Sequence, residues 1–574
     1  MKDTRHSVND DITRWVRKTM HPDVLLWIFP LLLLVANVAL AFTEPTHWLS
    51  KTIDIVLPYG VFLLLSASSV KVGRSVLWCL PLMIYAAFQI VLLFLYGESI
   101  IAIDMFLNVF TTSVSEATEL LANLVTAIAT VCLIYIPPIV FGIIFTVRKQ
   151  RASARAIRVA RLTAGSAIVI GGVMMMVAAV VVPRYDPARE VFPLNVVCNM
   201  FKAIHRAIAT ADYPQTSANF DYRATSTRPD SLPEVYVLVV GETSRADNWQ
   251  LGGYERPTNP RLSQVEGLVF YKKAVSESNT THKAVPLLLS PVSADSFADS
   301  IYTTRCITDI FGKVGYNTAF LSNQQHNRSF IDHFSRQADT TIFLCDDGQI
   351  HYDDELLPRA YSFIKRHSTG KTLVVLHTYG SHFKYSERYR DKYAKFTPDR
   401  TDAAELRNRD KLINAYDNTI VSIDAMLADI VEHLTALDCP AAMVYVSDHG
   451  EDIFDDERER FLHSSPTPTY YQIHVPMLIW MSPAYRAGYP SHYAAAVAHR
   501  DCDVATSESL FETMLSIAGI TSPRACPSLA LTDSSYTFAG RYYLNDYNER
   551  VPLRRSGLRQ SDFDTFKAHG IAIQ

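Results

Sequence analysis

Five long apolar segments occupy the first third of the chain, and they constrain the fold more than any other feature. They run near Val24–Phe42, Ile53–Val70, Leu77–Tyr96, Leu120–Val147 and Leu162–Val182. Each approaches or exceeds the roughly 18–20 residues needed to cross the hydrocarbon core of a bilayer. The first segment is too long for a cleavable signal peptide, and no small-residue cleavage site follows it. The sequence therefore predicts five transmembrane helices.

Basic residues alternate from one connection to the next. They precede the first segment, and they separate the second from the third and the fourth from the fifth: Arg5, Arg14, Arg17, Lys18, Lys71, Arg74, Arg148, Lys149, Arg151, Arg155, Arg158 and Arg161. The other connections carry the acids Glu44, Glu98, Asp104, Glu116 and Glu119. Because short loops rich in Lys and Arg stay in the cytoplasm, the N-terminus is expected there. Five crossings then place everything after Val182 outside.

The composition divides the chain into three parts. Residues 1–183 are the predicted transmembrane domain. Residues 184–232 contain an amphipathic stretch, Phe192–Ala209, and a linker rich in Thr, Ser, Pro and Asp. That stretch is compatible with a helix lying in the membrane interface and equally with a packed linker helix. Residues 233–574 are the predicted exported domain. A net charge of −4 gives no electrostatic argument for a nucleic-acid partner.

The exported part alternates apolar strands with helical stretches. Strands are expected at Val235–Val240, Thr318–Leu321, Thr372–Leu376, Ala442–Val446 and Pro476–Trp480, and a long helix at Arg407–Leu437. Alternation of this kind predicts an α/β fold in which helices cover a mostly parallel sheet.

Polar side chains follow four of these strands. Glu242, Asn323, His377 and the pair Asp448-His449 each stand at a strand's carboxyl end, where open α/β sheets bind their ligands. Two acids and an imidazole offer the oxygen and nitrogen ligands that suit a Zn²⁺-like ion. The alternative is structural, since Glu242 is also favoured in the first turn of a helix and an Asp-His pair often occurs in turns or helix caps.

The segment from Ser276 to Pro286 offers hydroxyl groups for a nucleophile. Beside a metal held by Glu242, Asp448 and His449, Thr281 is placed to attack phosphorus. Capping of the next helix by Thr280 and Thr281 explains the pattern equally well, and the two roles are compatible.

Three further histidines, His377, His382 and His463, surround the same predicted site. They suit a second metal, a contact to phosphoryl oxygens or protonation of a leaving group. A structural hydrogen bond is the alternative for each.

Six cysteines follow Val182, in the part of the chain predicted to lie outside, where an oxidising compartment permits disulfides. The preferred pairs are Cys502–Cys526 and Cys306–Cys345, although connectivity does not follow from sequence.

These motifs together resemble those of membrane phosphoethanolamine transferases, which modify lipid A and lipopolysaccharide. The matching stretches are Gly241-Glu242-Thr243-Ser244-Arg245, Leu251–Pro260, Thr281 before Pro286, His377 with Gly380-Ser381-His382, Ser447-Asp448-His449-Gly450-Glu451, His463 with Pro466, and Val475-Pro476-Met477. The resemblance covers nearly the whole chain. The chain departs from it before Thr281, where Ser276–Thr280 lacks the cysteine of many lipid A enzymes.

The resemblance implies a sulfatase-type, alkaline-phosphatase-like fold and a multi-pass protein of the bacterial inner membrane with a periplasmic catalytic domain. One Zn²⁺ would be held by Glu242, Thr281, Asp448 and His449, with room for a second ion. Thr281 would take phosphoethanolamine from phosphatidylethanolamine and pass it to a lipid A phosphate or a lipopolysaccharide core sugar. His382, His463, His377 and Gln325 would contact substrate, in a monomer that binds membrane but no nucleic acid.

Three alternative functions are considered. A related metal-dependent transferase would act on periplasmic glucan or a glycerol-phosphate polymer. A sulfatase-like hydrolase would release its product to water, but the C/S-x-P-x-R motif of formylglycine sulfatases is not found near the nucleophile. A membrane sensor without activity would not require the full set of ligand types that this chain retains.

Overall fold

The computed structural model describes residues 21–98, 100–111, 124–401 and 403–573. Arg5, Arg14, Arg17, Lys18, Glu116, Glu119 and the beginning of the fourth apolar segment lie outside the described residues. Within them the chain forms two compact units. One contains most of residues 21–106 and 124–204, and the other contains residues 205–573 together with a short segment from residue 107.

Helices, most of them apolar, build the first unit. They are α1 (Pro22–Leu33), α2 (Val35–Thr43), α3 (Trp48–Ser66), α4 (Val72–Trp78), α5 (Leu80–Tyr96), α6 (Ile103–Thr111), α7 (Val125–Val147), α8 (Ala154–Val181) and α9 (Pro187–Glu190). Among the described residues, four helical stretches are long and apolar enough to cross a membrane: Pro22–Thr43, Trp48–Ser66, Val125–Val147 and Ala154–Val181. The pair α4 and α5 gives a fifth if it forms one span, because the two helices meet at a bend of 53°.

The helix of the fifth predicted transmembrane segment begins earlier than the apolar sequence indicates. Helix α8 starts at Ala154, so Arg155, Arg158 and Arg161 lie in its first turns and not in the preceding loop. Arg161 uses this position to donate hydrogen bonds to the carbonyls of Ala67 and Ser68, at 2.9 and 3.0 Å. The predicted start and the observed start differ because hydropathy marks where the apolar sequence begins and not where the helix begins.

Helix α10 (Leu194–Ala211) occupies the predicted amphipathic stretch. Within the first unit its buried residues are Asn195, Val196, Asn199 and Ala203. The amides of Asn195 and Asn199 donate to the carbonyl of Ile101 at 3.1 and 2.9 Å. Leu194, Val197, Phe201 and Ile204 are exposed instead; Phe201 keeps 63% of its surface accessible. A row of exposed apolar side chains of this kind is unusual on the surface of a soluble domain.

The second unit is built around one seven-stranded sheet. Its strands are β2 (Glu234–Gly241), β3 (Leu268–Tyr271), β5 (Asn317–Ser322), β6 (Thr340–Phe343), β7 (Lys371–His377), β8 (Ala441–Ser447) and β11 (Met477–Met481), in the order β3-β11-β8-β2-β7-β5-β6. Short strands accompany it: β1 (Thr225–Ser226), β4 (Ala274–Val275), β9 (Asp452–Ile453), β10 (Phe461–Leu462), β12 (Val504–Ala505), β13 (Ile520–Thr521), β14 (Tyr542–Leu544) and β15 (Arg550–Pro552).

Helices cover this sheet. They are α11 (Tyr213–Thr216), α12 (Thr281–Leu289), α13 (Phe297–Ser300), α14 (Ile307–Lys313), α15 (Phe330–Ser335), α16 (Leu357–Arg366), α17 (Arg409–Thr435), α18 (Tyr470–Ile473), α19 (Pro483–Gly488), α20 (Pro490–Ala498), α21 (Thr506–Ala518) and α22 (Gln560–Ala568). The long helix α17 lies within the predicted range Arg407–Leu437.

The prediction of a mostly parallel sheet is confirmed. Strands β8, β2, β7, β5 and β6 are mutually parallel, and β11 joins them antiparallel to β8 and β3. Every residue of β2, β7 and β8 is buried, which explains their continuous apolar sequence. Because β8, β2, β7 and β5 are neighbours running in one direction, their carboxyl ends meet along one edge of the sheet.

The predicted disulfides are wrong. All eight cysteines, each of which lies in the described part of the chain, are free thiols. Cys306 Sγ lies 3.3 Å from the carbonyl of Phe334, whereas Cys345 Sγ lies 3.0 Å from the carbonyl of Asn323. The tertiary structure gives these two thiols different partners, which sequence spacing does not reveal.

Candidate active site

Glu242 directly follows β2 at the centre of the sheet edge. The backbone before it is tightly packed, since a Cβ on Gly241 would come within 2.5 Å of the Tyr445 hydroxyl. The backbone is equally close in the loop after β7, where a Cβ on Gly380 would lie 2.4 Å from the Glu242 carbonyl oxygen. The carboxylate itself is buried and accepts a hydrogen bond from the Thr243 hydroxyl at 2.7 Å. Its position is therefore fixed by neighbours on both sides.

Asp448 and His449 follow the adjacent strand β8. One Asp448 oxygen, Oδ1, accepts hydrogen bonds from the backbone amides of Thr243 and His449, at 3.1 and 2.7 Å. The other, Oδ2, lies 3.3 Å from His449 Nε2. His449 Nδ1 donates to the Gly450 carbonyl at 2.9 Å. That bond assigns the ring proton to Nδ1 and leaves the lone pair of Nε2 facing the acids.

Thr281 is the first residue of α12, and its hydroxyl points at these ligands. Its Oγ1 lies 3.1 Å from Glu242 Oε1 and 3.1 Å from His449 Nε2. Thr280 occupies the N-cap position without a side-chain capping bond, and its hydroxyl lies 3.1 Å from that of Ser278. Of the two adjacent threonines, Thr281 is therefore the one whose hydroxyl reaches the acids and the imidazole.

Four of the six separations among these atoms match those expected in a tetrahedral metal site. His449 Nε2 is 3.4 Å from Glu242 Oε1 and 3.3 Å from Asp448 Oδ2, and Thr281 Oγ1 is 3.1 Å from both Glu242 Oε1 and His449 Nε2. Ligands held about 2.0–2.1 Å from a tetrahedral Zn²⁺ lie roughly 3.3 Å apart. Among the described residues, Glu242, His449 and His463 also form a group whose ligand atoms lie within 4.8 Å of one another.

The charges at this site call for a cation. Burial and the neighbouring carboxylate of Asp448 raise the pKa of Glu242 to about 8, and burial raises the pKa of Asp448 to about 7. Burial also lowers the pKa of His449, which keeps its imidazole neutral. Two buried acids beside a neutral imidazole are costly when both acids are ionised, and a divalent ion between them removes that cost.

Two further histidines extend the site away from His449. The centre of the His463 ring lies 4.3 Å from the centre of the His449 ring and 5.6 Å from the centre of the His382 ring. Tyr379 stacks on His382 with ring centres 4.9 Å apart. Burial lowers the pKa of both His382 and His463 well below the ordinary value. Both rings are therefore neutral at physiological pH.

Comparisons with known proteins decide the family. The model of the family described as Sulfatase matches residues 234–520, which is half of the chain and includes Glu242, Thr281, Asp448 and His449. The chain belongs to the sulfatase family.

Relatives of this sulfatase-family chain support the predicted resemblance. Phosphoethanolamine transferase EptA of Salmonella typhimurium is 32% identical over 295 residues, covering 50% of this chain and 53% of its own length. The chain spans about half the length of the curated relatives it matches.

Solved structures extend the comparison to the fold. An integral membrane lipooligosaccharide phosphoethanolamine transferase A (EptA) from Neisseria meningitidis superposes with a TM-score of 0.70 at 20% identity, over 88% of this chain and 98% of that one. The C-terminal periplasmic domain of EcEptC from Escherichia coli, solved with Zn, superposes with a TM-score of 0.53 at 22% identity, over 59% and 97%. The resemblance to membrane phosphoethanolamine transferases and the predicted fold class are confirmed.

Two predicted contacts take other places in this sulfatase-family domain. His377 lies within the sheet, where its Nδ1 is 3.1 Å from the Ser322 hydroxyl and its ring packs on Phe320. Gln325 turns away from Glu242, because its amide donates to the Cys345 carbonyl at 2.8 Å. The neighbouring Gln324 contacts Glu242 instead, with its Nε2 3.0 Å from Oε2.

Asp353 organises the loops around the site and was not found from the sequence. Its carboxylate accepts hydrogen bonds from the amides of Tyr379 and Gly380, at 2.8 and 2.9 Å, and from the Asn323 side chain at 2.8 Å. The backbone of the loop that carries His382 is thereby tied to the loop after β5. No periodic pattern marks either residue, since Asp353 begins a short 3-10 helix, Asp353–Leu356, and Gln324 lies in a loop. In both places the direction of the side chain depends on tertiary contacts.

Proposed function

We propose that this protein is a phosphoethanolamine transferase that moves the group from phosphatidylethanolamine to a lipid A phosphate or a lipopolysaccharide core sugar. The observation that carries the proposal is the position of the Thr281 hydroxyl, 3.1 Å from both Glu242 Oε1 and His449 Nε2. A hydroxyl placed between buried metal-type ligands is suited to nucleophilic attack, and a structural cap needs no such surroundings. The names of the relatives indicate the group that is transferred.

Glu242, Asp448, His449 and the oxygen of Thr281 would hold one Zn²⁺. When bound, such an ion lowers the pKa of a coordinated hydroxyl and neutralises charge on phosphoryl oxygens. The Nδ1 bond of His449 to Gly450 keeps Nε2 available as a ligand. The ligand spacing and the raised pKa values of the two acids support this set.

The reaction would proceed in two displacements at phosphorus. Thr281 Oγ1 loses its proton and forms a bond to phosphorus, while the bond from phosphorus to the glycerol oxygen breaks. The glycerol oxygen takes up a proton, and diacylglycerol leaves as the alcohol. An acceptor oxygen then loses its proton and replaces Thr281, whose hydroxyl is restored.

His382 and His463 would contact the phosphoryl group. Because both rings are neutral, each offers one donor and one acceptor nitrogen to phosphoryl oxygens. His463 also stands within 4.8 Å of the ligand atoms of Glu242 and His449, so a second ion would find a ligand there. His377 and Gln325 have sheet and loop contacts that give them no direct part in this scheme.

The membrane helices would tether the catalytic domain to the bilayer that contains its lipid substrates. In this proposal residues 1–183 form the domain of the bacterial inner membrane, with a cytoplasmic N-terminus. Residues 184–232 connect it to the periplasmic catalytic domain of residues 233–574. The exposed apolar side of α10 would lie in the membrane interface. The enzyme would act as a monomer and without nucleic acid.

Replacement of each threonine separately tests the nucleophile. Purified full-length protein in detergent is incubated with phosphatidylethanolamine, and its intact mass is measured. Wild type and Thr280→Ala should gain the mass of phosphoethanolamine, whereas Thr281→Ala should not. Adduct formation by Thr281→Ala, or its loss only in Thr280→Ala, would refute the assignment.

The acceptor is tested in cells. Lipid A and core oligosaccharide are analysed by mass spectrometry after expression of the wild type or of Thr281→Ala. Phosphoethanolamine on either fraction that depends on Thr281 supports the proposal. Release of free phosphoethanolamine with no modified acceptor would instead favour the hydrolase alternative.

A further inference from the structure

Gln324 links the loop after β5 to the carboxylate of Glu242. Its Nε2 donates one hydrogen bond to Glu242 Oε2 at 3.0 Å and another to the Thr378 carbonyl at 3.0 Å. A primary amide has two N–H donors, and both are used here. We propose that Gln324 is a positioning residue that holds Glu242 with Oε1 turned toward the cation; this inference rests on the proposed metal-dependent function.

The two oxygens of Glu242 have different surroundings. Oε1 accepts from the Thr243 hydroxyl at 2.7 Å and faces the Thr281 hydroxyl at 3.1 Å and His449 Nε2 at 3.4 Å. Oε2 faces Gln324. With Oε2 engaged by an amide donor, rotation of the carboxylate would cost that hydrogen bond. Glu242 is thus oriented to offer a single oxygen to an ion.

The length of the Gln324 side chain matches its task. Glu242 follows β2 and Gln324 follows β5, with β7 between them. Strands in a sheet are about 4.8 Å apart, so the side chain must reach across an intervening strand end. It rests there on the carbonyl of Thr378, which directly follows β7. Asparagine, one methylene shorter, is not expected to keep both contacts.

The backbone of Gln324 is itself held in place. Its amide donates to the Ser322 hydroxyl at 3.1 Å, and that hydroxyl lies 3.1 Å from His377 Nδ1. His377 is buried in the sheet, with 1% of its surface exposed. The imidazole that sequence reasoning assigned to substrate therefore supports the segment that orients Glu242.

Loss of this contact should weaken metal binding without unfolding the protein. Groups that hydrogen-bond a metal ligand from outside typically contribute 10–100-fold to metal affinity. Gln324→Leu keeps the size of the side chain but removes both donors. Gln325→Leu is the matched control for zinc affinity, since the Gln325 amide is bonded to the Cys345 carbonyl and not to Glu242.

Zinc affinity is measured on full-length protein in detergent by competition with a chromophoric chelator. We expect Gln324→Leu and Gln324→Asn to lose about 10–100-fold in affinity and Gln325→Leu to stay within about twofold of wild type. Thermal unfolding of the chelator-treated proteins separates positioning from folding. The Gln324 variants should unfold near the wild-type temperature without metal and show a smaller rise on adding Zn²⁺.

Each result decides between the alternatives. Wild-type zinc affinity in both Gln324 variants would overturn the proposal, as would an equal loss in Gln325→Leu. If Gln324→Leu does not fold, Gln324→Asn decides by the same criterion. A wild type that binds Zn²⁺ but transfers no phosphoethanolamine would refute the proposed function and leave the role of Gln324 to the affinity data. A wild type that binds no Zn²⁺ would overturn both.

Discussion

Arg245 ends the motif that begins with Gly241, and its side chain is buried with that of Asp455. Two hydrogen bonds join the guanidinium to the Asp455 carboxylate, at 2.8 and 3.0 Å. A third reaches Asn248 Oδ1 at 2.7 Å, and a fourth reaches the Glu451 carbonyl at 3.3 Å. Arg245→Met keeps much of the volume of this side chain and removes all four donors. The perturbation therefore isolates a buried ion pair close to the active site.

The expected cost follows from burial and from the partners that remain. Side-chain exposure is 6% for Arg245 and 3% for Asp455, and breaking a buried pair costs about 3–5 kcal/mol. Asp455 keeps a second cation, Arg409, at 3.1 Å. We therefore expect the lower end of that range, about 3 kcal/mol. Arg409 is 37% exposed, so Arg409→Met should cost about 1 kcal/mol or less.

Pulse proteolysis of full-length protein in detergent at increasing urea concentrations measures this loss. With an m-value of about 3 kcal/mol/M, a loss of about 3 kcal/mol lowers the unfolding midpoint by about 1 M. The midpoint of Arg409→Met should move by about 0.3 M or less. Equal midpoints for Arg245→Met and wild type, or equal shifts for the two variants, would show that burial does not set the energy of this pair.

Three further predictions concern the active site and its support. Gly380→Ala places a Cβ 2.4 Å from the Glu242 carbonyl, at a residue with φ of +50°, and should slow phosphatidylethanolamine turnover about 100-fold. Gly312→Ala has open space around its Cβ and is the control; equal rates would contradict the steric argument. Burial raises the pKa of Glu512 to about 7 from 4.5, so wild type loses stability as pH rises between these values. Glu512→Gln should match wild type in its free energy of unfolding at and below about pH 4.5 and exceed it by about 3 kcal/mol above pH 7; a pH-independent difference would refute this. Chelation of metal should abolish adduct formation, and added Zn²⁺ should restore it; activity that survives complete chelation would exclude the proposed ion.

The strands illustrate how much of the fold follows from local sequence. Val235–Val240 and Thr372–Leu376 were predicted nearly to the residue, because strands buried on both faces have continuous apolar sequences. The edge strands β3 and β6 were missed. Leu268–Tyr271 alternates half-buried and buried positions, and Thr340–Phe343 is mostly half-buried, so neither gives the same signal.

The amino-acid sequence by itself determined the membrane segments, the α/β sheet and the group of Glu242, Thr281, Asp448 and His449. These depend on hydropathy over long windows and on the rule that parallel strands end at one edge, and both are local or periodic properties. Only the tertiary structure decided that Gln324 and not Gln325 reaches Glu242, and that His377 belongs to the sheet. It also places the hydroxyl of Thr281, and not that of Thr280, at the acids, as the motif before Pro286 predicts. Adjacent residues point their side chains in different directions, and contacts with segments far away in the sequence decide which of them faces the site.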